Sequence, residues 1–419
     1  TNNPVEDFDY VEEEWFVEGE LETGPYVTLL LVRRPRDPDR FSGTLLVEPL
    51  RIQSRIVAIS TYTAPYIMRS GHGWAMVVSQ KPSLDVDVKS VNPERYEPLH
   101  IEAEAPRLVA FDLTGPIPTD DSQKTKQYFA ELLRSSVSSH TILAQVGAAL
   151  RGSAGPFAAY EPGHVILMGH SQTGKATADF LLETHDSQRL SDGRPVYDGF
   201  FPCGFPTVPL STRDVPVVQV LSEGDILDPN GLRGMSEGRA YRRPDSDDPM
   251  DRFRLYELAG HAHSGTRYPP TNSADMWRSV GLGDGIPAGA SMSSLPTFEM
   301  FRTALDHLVK WVSLGIVPPR AGRIETGADQ RFLKDENGHS LGGVRCVQLD
   351  IPRAKHTIIG GIAIEELFNR NKLRALYKDH ADYATRFNAR LEELIGQGFF
   401  LEEDAPGLRQ EAKDAAPSF

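Results

Sequence analysis

Val165-Ile166-Leu167-Met168-Gly169-His170-Ser171-Gln172-Thr173-Gly174-Lys175 is the stretch whose reading decides the fold. Its first four residues are apolar and read as a short, fully buried strand. A glycine turn follows, and Lys175–His185 then reads as helix. A strand that meets a helix through so tight a turn projects the central side chain off the sheet edge. Gly169 and Ser171 stand at the G-x-S spacing that presents a serine hydroxyl in this way. Thr173 occupies the place of an expected second glycine, and Gly174 comes one residue late.

The same residues come close to a phosphate-binding loop. Gly169-x-x-x-x-Gly174-Lys175 has the right spacing and follows a strand. Position 176 is Ala where a magnesium-binding hydroxyl is needed, and Thr177 is one residue late. The run Val217–Leu221 is interrupted by Gln219, and Ser222 separates it from Glu223, so it makes a poor second nucleotide motif. A nucleotide-binding ATPase built on Gly169–Lys175 is therefore the rival reading.

Downstream order separates the two. An exposed serine nucleophile needs a carboxylate and then a histidine, each at a strand end. Pro216-Val-Val-Gln-Val-Leu-Ser-Glu223-Gly224-Asp225 supplies a strand followed by two acids, and Leu255-Tyr-Glu-Leu-Ala-Gly260-His261-Ala262-His263 a strand followed by two histidines. The order Ser–acid–His has no reason to exist in an ATPase. Ser171 is the candidate nucleophile, because a serine hydroxyl needs an adjacent base to react. A histidine moves the proton, and the carboxylate orients the imidazole. A position a few residues past the strand favours Asp225, with Glu223 as the alternative. A Gly-x-x-His spacing favours His263 over His261. The Gln172 amide is a candidate oxyanion donor. The second donor is expected after the third strand, beyond Glu48. Pro49 has no N–H, which leaves Leu50 or Arg51, and Leu50 is taken first.

Outside this core, Tyr26–Val32, Thr44–Glu48 and Gly73–Ser79 read as strands, and Ala64–Ser70 as a short helix ended by Gly71. Ser139–Leu150 and Thr297–Leu314 carry helical stripes, and His380–Ile395 is an amphipathic helix. Strands alternating with helices predict a mostly parallel sheet. Residues 82–118 are rich in Asp, Pro and Glu and read as an insertion, as do residues 264–296. Both are expected to cap the pocket mouth. Residues 318–419 read as an extension packed on the core, so the whole of 1–419 is expected to form a single elaborated domain.

The chain has 419 residues and a formal net charge of −14. Phosphate backbones call for a basic face, so nucleic acid is disfavoured as the main partner. Hydrophobic residues at 40% and charged residues at 24% exclude global disorder. No apolar run approaches the roughly 20 residues of a membrane span. Cys203 and Cys346 allow one disulfide or two buried thiols, and neither shows zinc-site spacing. The chain starts at Thr1, so its terminus is expected to be either processed or trimmed; a soluble protein is expected, secreted or periplasmic if Thr1 follows signal cleavage, and the compartment stays open.

The six residues Gly169-His-Ser-Gln-Thr-Gly174 resemble the turn of the alpha/beta hydrolase domain family, whose members carry Gly-His-Ser-Gln-Thr/Ser-Gly there. Gly73–Ser79, Asn92–Tyr96, Arg243–Asp247, Glu257–His263 and Gly342–Arg345 are further matching blocks, and they span nearly the whole chain. In similar sequences the position of His261 is often small while that of His263 is histidine. The resemblance implies an α/β-hydrolase fold, with helices on both faces of the sheet and cap-like insertions. It also implies a serine hydrolase acting on a small-molecule carboxylic ester, with Ser171 as nucleophile and His263 as base and no metal or organic cofactor. Both Glu223 and Asp225 recur in similar sequences, so the triad Ser171–Asp225–His263 rests on the position of Asp225 after the strand. A catalytically silent, hydrolase-like binding protein is the third reading.

Overall fold

The computed structural model describes residues 5–52, 58–102, 137–206, 209–211, 213–227, 241–265, 286–287, 289–329, 331–359 and 362–416. The chain folds as two compact units. The first is Thr1–Gln219 with Ser246–Phe253 and His307–Val317; the second is Val220–Asp245 with Arg254–Asp306 and Pro318–Phe419. Of the expected insertions at 82–118 and 264–296, residues 103–118 of the first and 266–285 and 288 of the second lie outside the described residues. Of the first, Ser83–Lys89 is a π-helical segment.

The first unit is organised by a nine-stranded sheet. β1 (Tyr10–Leu21) and β2 (Gly24–Pro35) form an antiparallel hairpin, and β2 runs antiparallel to β4 (Gly73–Val77). β3 (Thr44–Pro49) lies parallel to β4 on one side and to β5 (His164–His170) on the other. β6 (Gly199–Cys203) continues the parallel set beside β5. The full order is β1-β2-β4-β3-β5-β6-β7-β9-β8, with β8 at Ser246–Asp248. β7 (Val217–Ser222) and β9 (Asp251–Leu258) begin in this unit and run on into the second.

The central strands are apolar on both faces because both faces are covered. Leu45–Val47 and Val165–Met168 have no solvent exposure. Such unbroken runs mark buried parallel strands. Helix α1 (Ala58–Arg69) packs on β4 and β5, α2 (Val137–Ala149) on β1, and α3 (Gln172–Asp179) on β5 and β6. α1 starts six residues before the expected Ala64. The buried Glu48 carboxylate accepts the N–H groups of Ile59 and Ser60 at 2.8 and 3.0 Å, which satisfies the helix N-terminus from outside the helix. Pro65 then sits in the helix interior instead of its first turn.

The strand order matters for function. From β3 the chain crosses to β4 on one side and later returns to β5 on the other. Ligands bind in open α/β sheets at such a reversal, beyond the carboxyl ends of the strands. Leu50–Ile52 and Ser171–Gln172 therefore leave the sheet from neighbouring strands.

In the second unit, α4 (Glu223–Leu227) follows β7, and α5 (Thr297–Leu314) spans the predicted helix and continues into the first unit. A three-stranded sheet, β10 (Ser291–Met292), β12 (Ile362–Leu367) and β11 (Ala354–Ile359), was not legible in the sequence. β11 mixes Lys355, His356 and Thr357 with apolar residues and has no clean alternation. α6 (Val347–Asp350) and α7 (Arg370–Leu376) flank that sheet in the chain. α8 (His380–Gly396) buries Tyr383, Phe387, Leu391 and Leu394, as its spacing predicts, and contacts α9 (Ala405–Asp414). Both cysteines are buried free thiols. Among the described residues no helix is long and apolar enough to cross a membrane.

Candidate active site

The turn between β5 and α3 has one residue, Ser171. Its backbone is at φ 60° and ψ −120°, a region that costs a non-glycine residue about 1–3 kcal/mol. A serine ahead of a helix ordinarily caps it with its hydroxyl. The Ser171 side chain makes no such cap. The strain is held by the surroundings: the Ser171 N–H donates to the Cys203 carbonyl at 2.9 Å, and its own carbonyl accepts from Lys175 N–H at 2.9 Å.

Thr173 and Gly174 explain the departure from G-x-S-x-G. The Thr173 hydroxyl accepts from the His170 N–H and donates to the His170 carbonyl, each at 3.0 Å, so it staples the turn. The close approach a second glycine would permit is supplied by Gly174, where a Cβ would lie 2.1 Å from the Cys203 oxygen. At Gly169 a Cβ would lie 2.2 Å from the Thr173 oxygen. His170 packs its ring against Tyr62, with centroids 5.7 Å apart.

This geometry leaves no room for the ATPase reading. A phosphate cradle needs several loop amides between strand and helix. Here the strand ends at His170 and the helix begins at Gln172. Lys175 is paired with Asp179 one helical turn on.

The segment after β3 reaches the turn through side-chain amides. Gln172 donates from Nε2 to Gln80 Oε1 at 2.7 Å, and its Oε1 lies 3.5 Å from the Ile52 N–H. Gln80 and Ser83 both donate to the Leu50 carbonyl, at 3.4 and 3.2 Å. As the first residue of α3, Gln172 has no intrahelical partner for its own N–H. Leu50 is a correction. Its N–H donates to the Val77 carbonyl at 2.9 Å, extending the β3–β4 ladder, so it is not an oxyanion donor. Just before it, burial pushes the Glu48 carboxyl up to about 7, against the pull of the Ile59 and Ser60 N–H groups and the Trp74 indole.

Asp225 and His263 both belong to the second unit. Asp225 Oδ1 lies 2.5 Å from His263 Nδ1. The other carboxylate oxygen accepts the Ser222 N–H at 2.7 Å, and Ser222 Oγ accepts the Asp225 N–H at 3.1 Å. The carboxylate is thereby locked at the end of β7. The His263 side chain is about 30% exposed. His261 is turned elsewhere: its Nδ1 faces the Ala259 carbonyl at 2.8 Å, and burial lowers its pKa to about 4. Glu223 accepts from Gly260 N–H at 2.7 Å and from Lys334 Nζ at 2.6 Å. No group of three or more His, Cys, Asp or Glu among the described residues is arranged to hold a metal.

The profile of the family described as "Alpha/beta hydrolase domain" matches residues 2–410. The chain belongs to that family. Among curated proteins none matches it. Solved structures with a distant likeness include an alpha-beta serine hydrolase homologue from Coxiella burnetii, at 9% identity over 60% of this chain and 88% of that one, with a TM-score of 0.32. A cold-adapted esterase from an Arctic intertidal metagenomic library has 9% identity over 65% of this chain and 90% of its own, with a TM-score of 0.33. Esterase Est22 has 10% identity over 60% and 73%, with a TM-score of 0.34.

Within this alpha/beta hydrolase, several residues that hold the Ser171 turn or, in the other unit, the acid turn escaped sequence reasoning. Gln80 and Lys334 carry no local signal, because their partners are far away in the chain. Glu48 had one: an acid closing an apolar strand must be buried, and a buried acid needs donors.

Proposed function

We propose that this alpha/beta hydrolase is a serine esterase in which Ser171 attacks a carboxylic ester and forms an acyl-enzyme. The observation that carries the reading is the strained backbone of Ser171, whose hydroxyl is withheld from capping α3. Such strain persists where function maintains it.

In this reading the His263 ring, held at Nδ1 by Asp225, accepts the Ser171 proton at Nε2 as Oγ bonds to the carbonyl carbon. Asp225 selects the tautomer in which Nε2 is the basic nitrogen and stabilises the imidazolium. The developing oxyanion is met by the Gln172 N–H at the positive end of α3. The second donor passes from Leu50 to Arg51, the next residue. His263 then returns the proton to the departing alkoxide as the ester C–O bond breaks. A water, deprotonated by the same ring, hydrolyses the acyl-enzyme and restores Ser171.

The test is fluorophosphonate labelling with peptide mass spectrometry on wild type and Ser171→Ala, alongside turnover of short and medium p-nitrophenyl esters. An adduct on Ser171, with labelling and turnover lost in the variant, supports the proposal. Turnover that survives in Ser171→Ala overturns it.

A further inference from the structure

We propose that Glu223 and Lys334 form a charged clamp that fixes the acid turn against the histidine loop, which makes Lys334 a positioning residue for the reaction. The inference rests on the esterase reading above and extends it to a residue 111 positions from its partner.

Glu223 is buried, and both of its oxygens are engaged. One oxygen accepts the Gly260 N–H at 2.7 Å, at the start of the histidine loop. The other accepts Lys334 Nζ at 2.6 Å. Lys334 also donates to Ser340 Oγ at 2.7 Å and lies over the Phe332 ring at 5.8 Å. It sits on a hairpin-like strip closed by the bridges Thr326–Phe332 and Lys334–Ser340. Two more contacts join the acid turn to the histidine loop. Gly224 N–H donates to the His261 carbonyl at 3.1 Å, and a Cβ on Gly224 would lie 3.1 Å from the His263 nitrogen. Gly260, at φ +75°, makes the bend that brings its N–H to Glu223.

The pair is also a charge balance. Burying a carboxylate without a partner is costly, and the Lys334 ammonium offsets it. The titratable groups on the two loops are Glu223 and Asp225 on one and His261 and His263 on the other. Lys334 reaches them from the strip, and His356 faces His261 from β11, with His339 and Glu365 beside it. Without the ammonium, an uncompensated anion stands beside the histidine loop. Without the carboxylate, the half-exposed Lys334 ammonium, partly solvated, is left beside it.

The experiment measures the rate of fluorophosphonate labelling of Ser171 against pH in the full chain. Lys334→Met should move the acidic limb up by about half a pH unit, the scale of one uncompensated charge in a mixed dielectric. Glu223→Gln should move it down by a similar amount, and the double variant should return it towards wild type. Lys334→Arg keeps the charge and should leave the limb in place, which separates charge from simple loss of fold. A limb that stays put in both single variants, with folded protein, overturns the clamp. Wild type that labels at a residue other than Ser171 overturns the esterase reading and the clamp with it.

Discussion

Asp225 meets His263 through an Oδ1–Nδ1 contact of 2.5 Å, whereas Glu223, two residues earlier, turns to Gly260 and Lys334. Two acids that follow the same strand thus have different partners. Asp225→Asn should lower kcat on p-nitrophenyl esters by about 10³–10⁴-fold, because the amide favours the wrong imidazole tautomer. Glu223→Gln should cost far less. Equal losses in the two variants, measured by steady-state kinetics, would sink this assignment.

Gly174 and Gly407 should respond in opposite directions to alanine. A Cβ at Gly174 meets the Cys203 carbonyl at 2.1 Å, and backbone on both sides leaves little room to yield. Gly174→Ala should destabilise by about 2 kcal/mol or more, as overpacking does. Gly407 lies inside α9 with nothing within 4 Å of an added Cβ. Gly407→Ala should stabilise by about 0.5–1 kcal/mol. Urea titration of both variants checks the contrast.

Stability should fall steeply in acid. Burial lowers the pKa of His72, His140 and His261 to about 4 and that of His356 to about 3. These groups are neutral in the fold, and in the unfolded chain they take up protons below about pH 6.5. Their contribution is present above that pH and is lost as pH falls through the folded values. Glu48 opposes them with one proton. These five groups alone take up about three protons, a slope of about 4 kcal/mol per pH unit near pH 5, and His185 and His339, also lowered by burial, add to it. Urea midpoints measured from pH 7 to pH 4 give that slope directly, and a flat profile would contradict it.

Glu48 has the opposite sign. Its folded pKa, about 7, is raised from 4.5. Its contribution is present below the unfolded value and is lost as pH rises through 7. Glu48→Gln should therefore gain stability relative to wild type between pH 5 and pH 8, by about 3 kcal/mol at most. Paired melts at those two pH values give the difference.

What the sequence by itself determined is local. An apolar run, a glycine and a serine ahead of a helix specify the β5–Ser171–α3 turn, because periodicity and backbone sterics act over a few residues. The order Ser171, then acid, then histidine was legible for the same reason, since each stands at the end of a readable strand. β6 was not, because Gly199 and Pro202 break its pattern, although both are buried in the sheet. The tertiary structure alone decided which acid faces the histidine, that Leu50 spends its N–H on Val77, and that Thr173 staples the turn while Gly174 admits the Cys203 carbonyl. Each of these depends on where a hydrogen bond finds its partner across tens of residues. Burial makes such bonds obligatory, and only the folded chain brings the partners within reach.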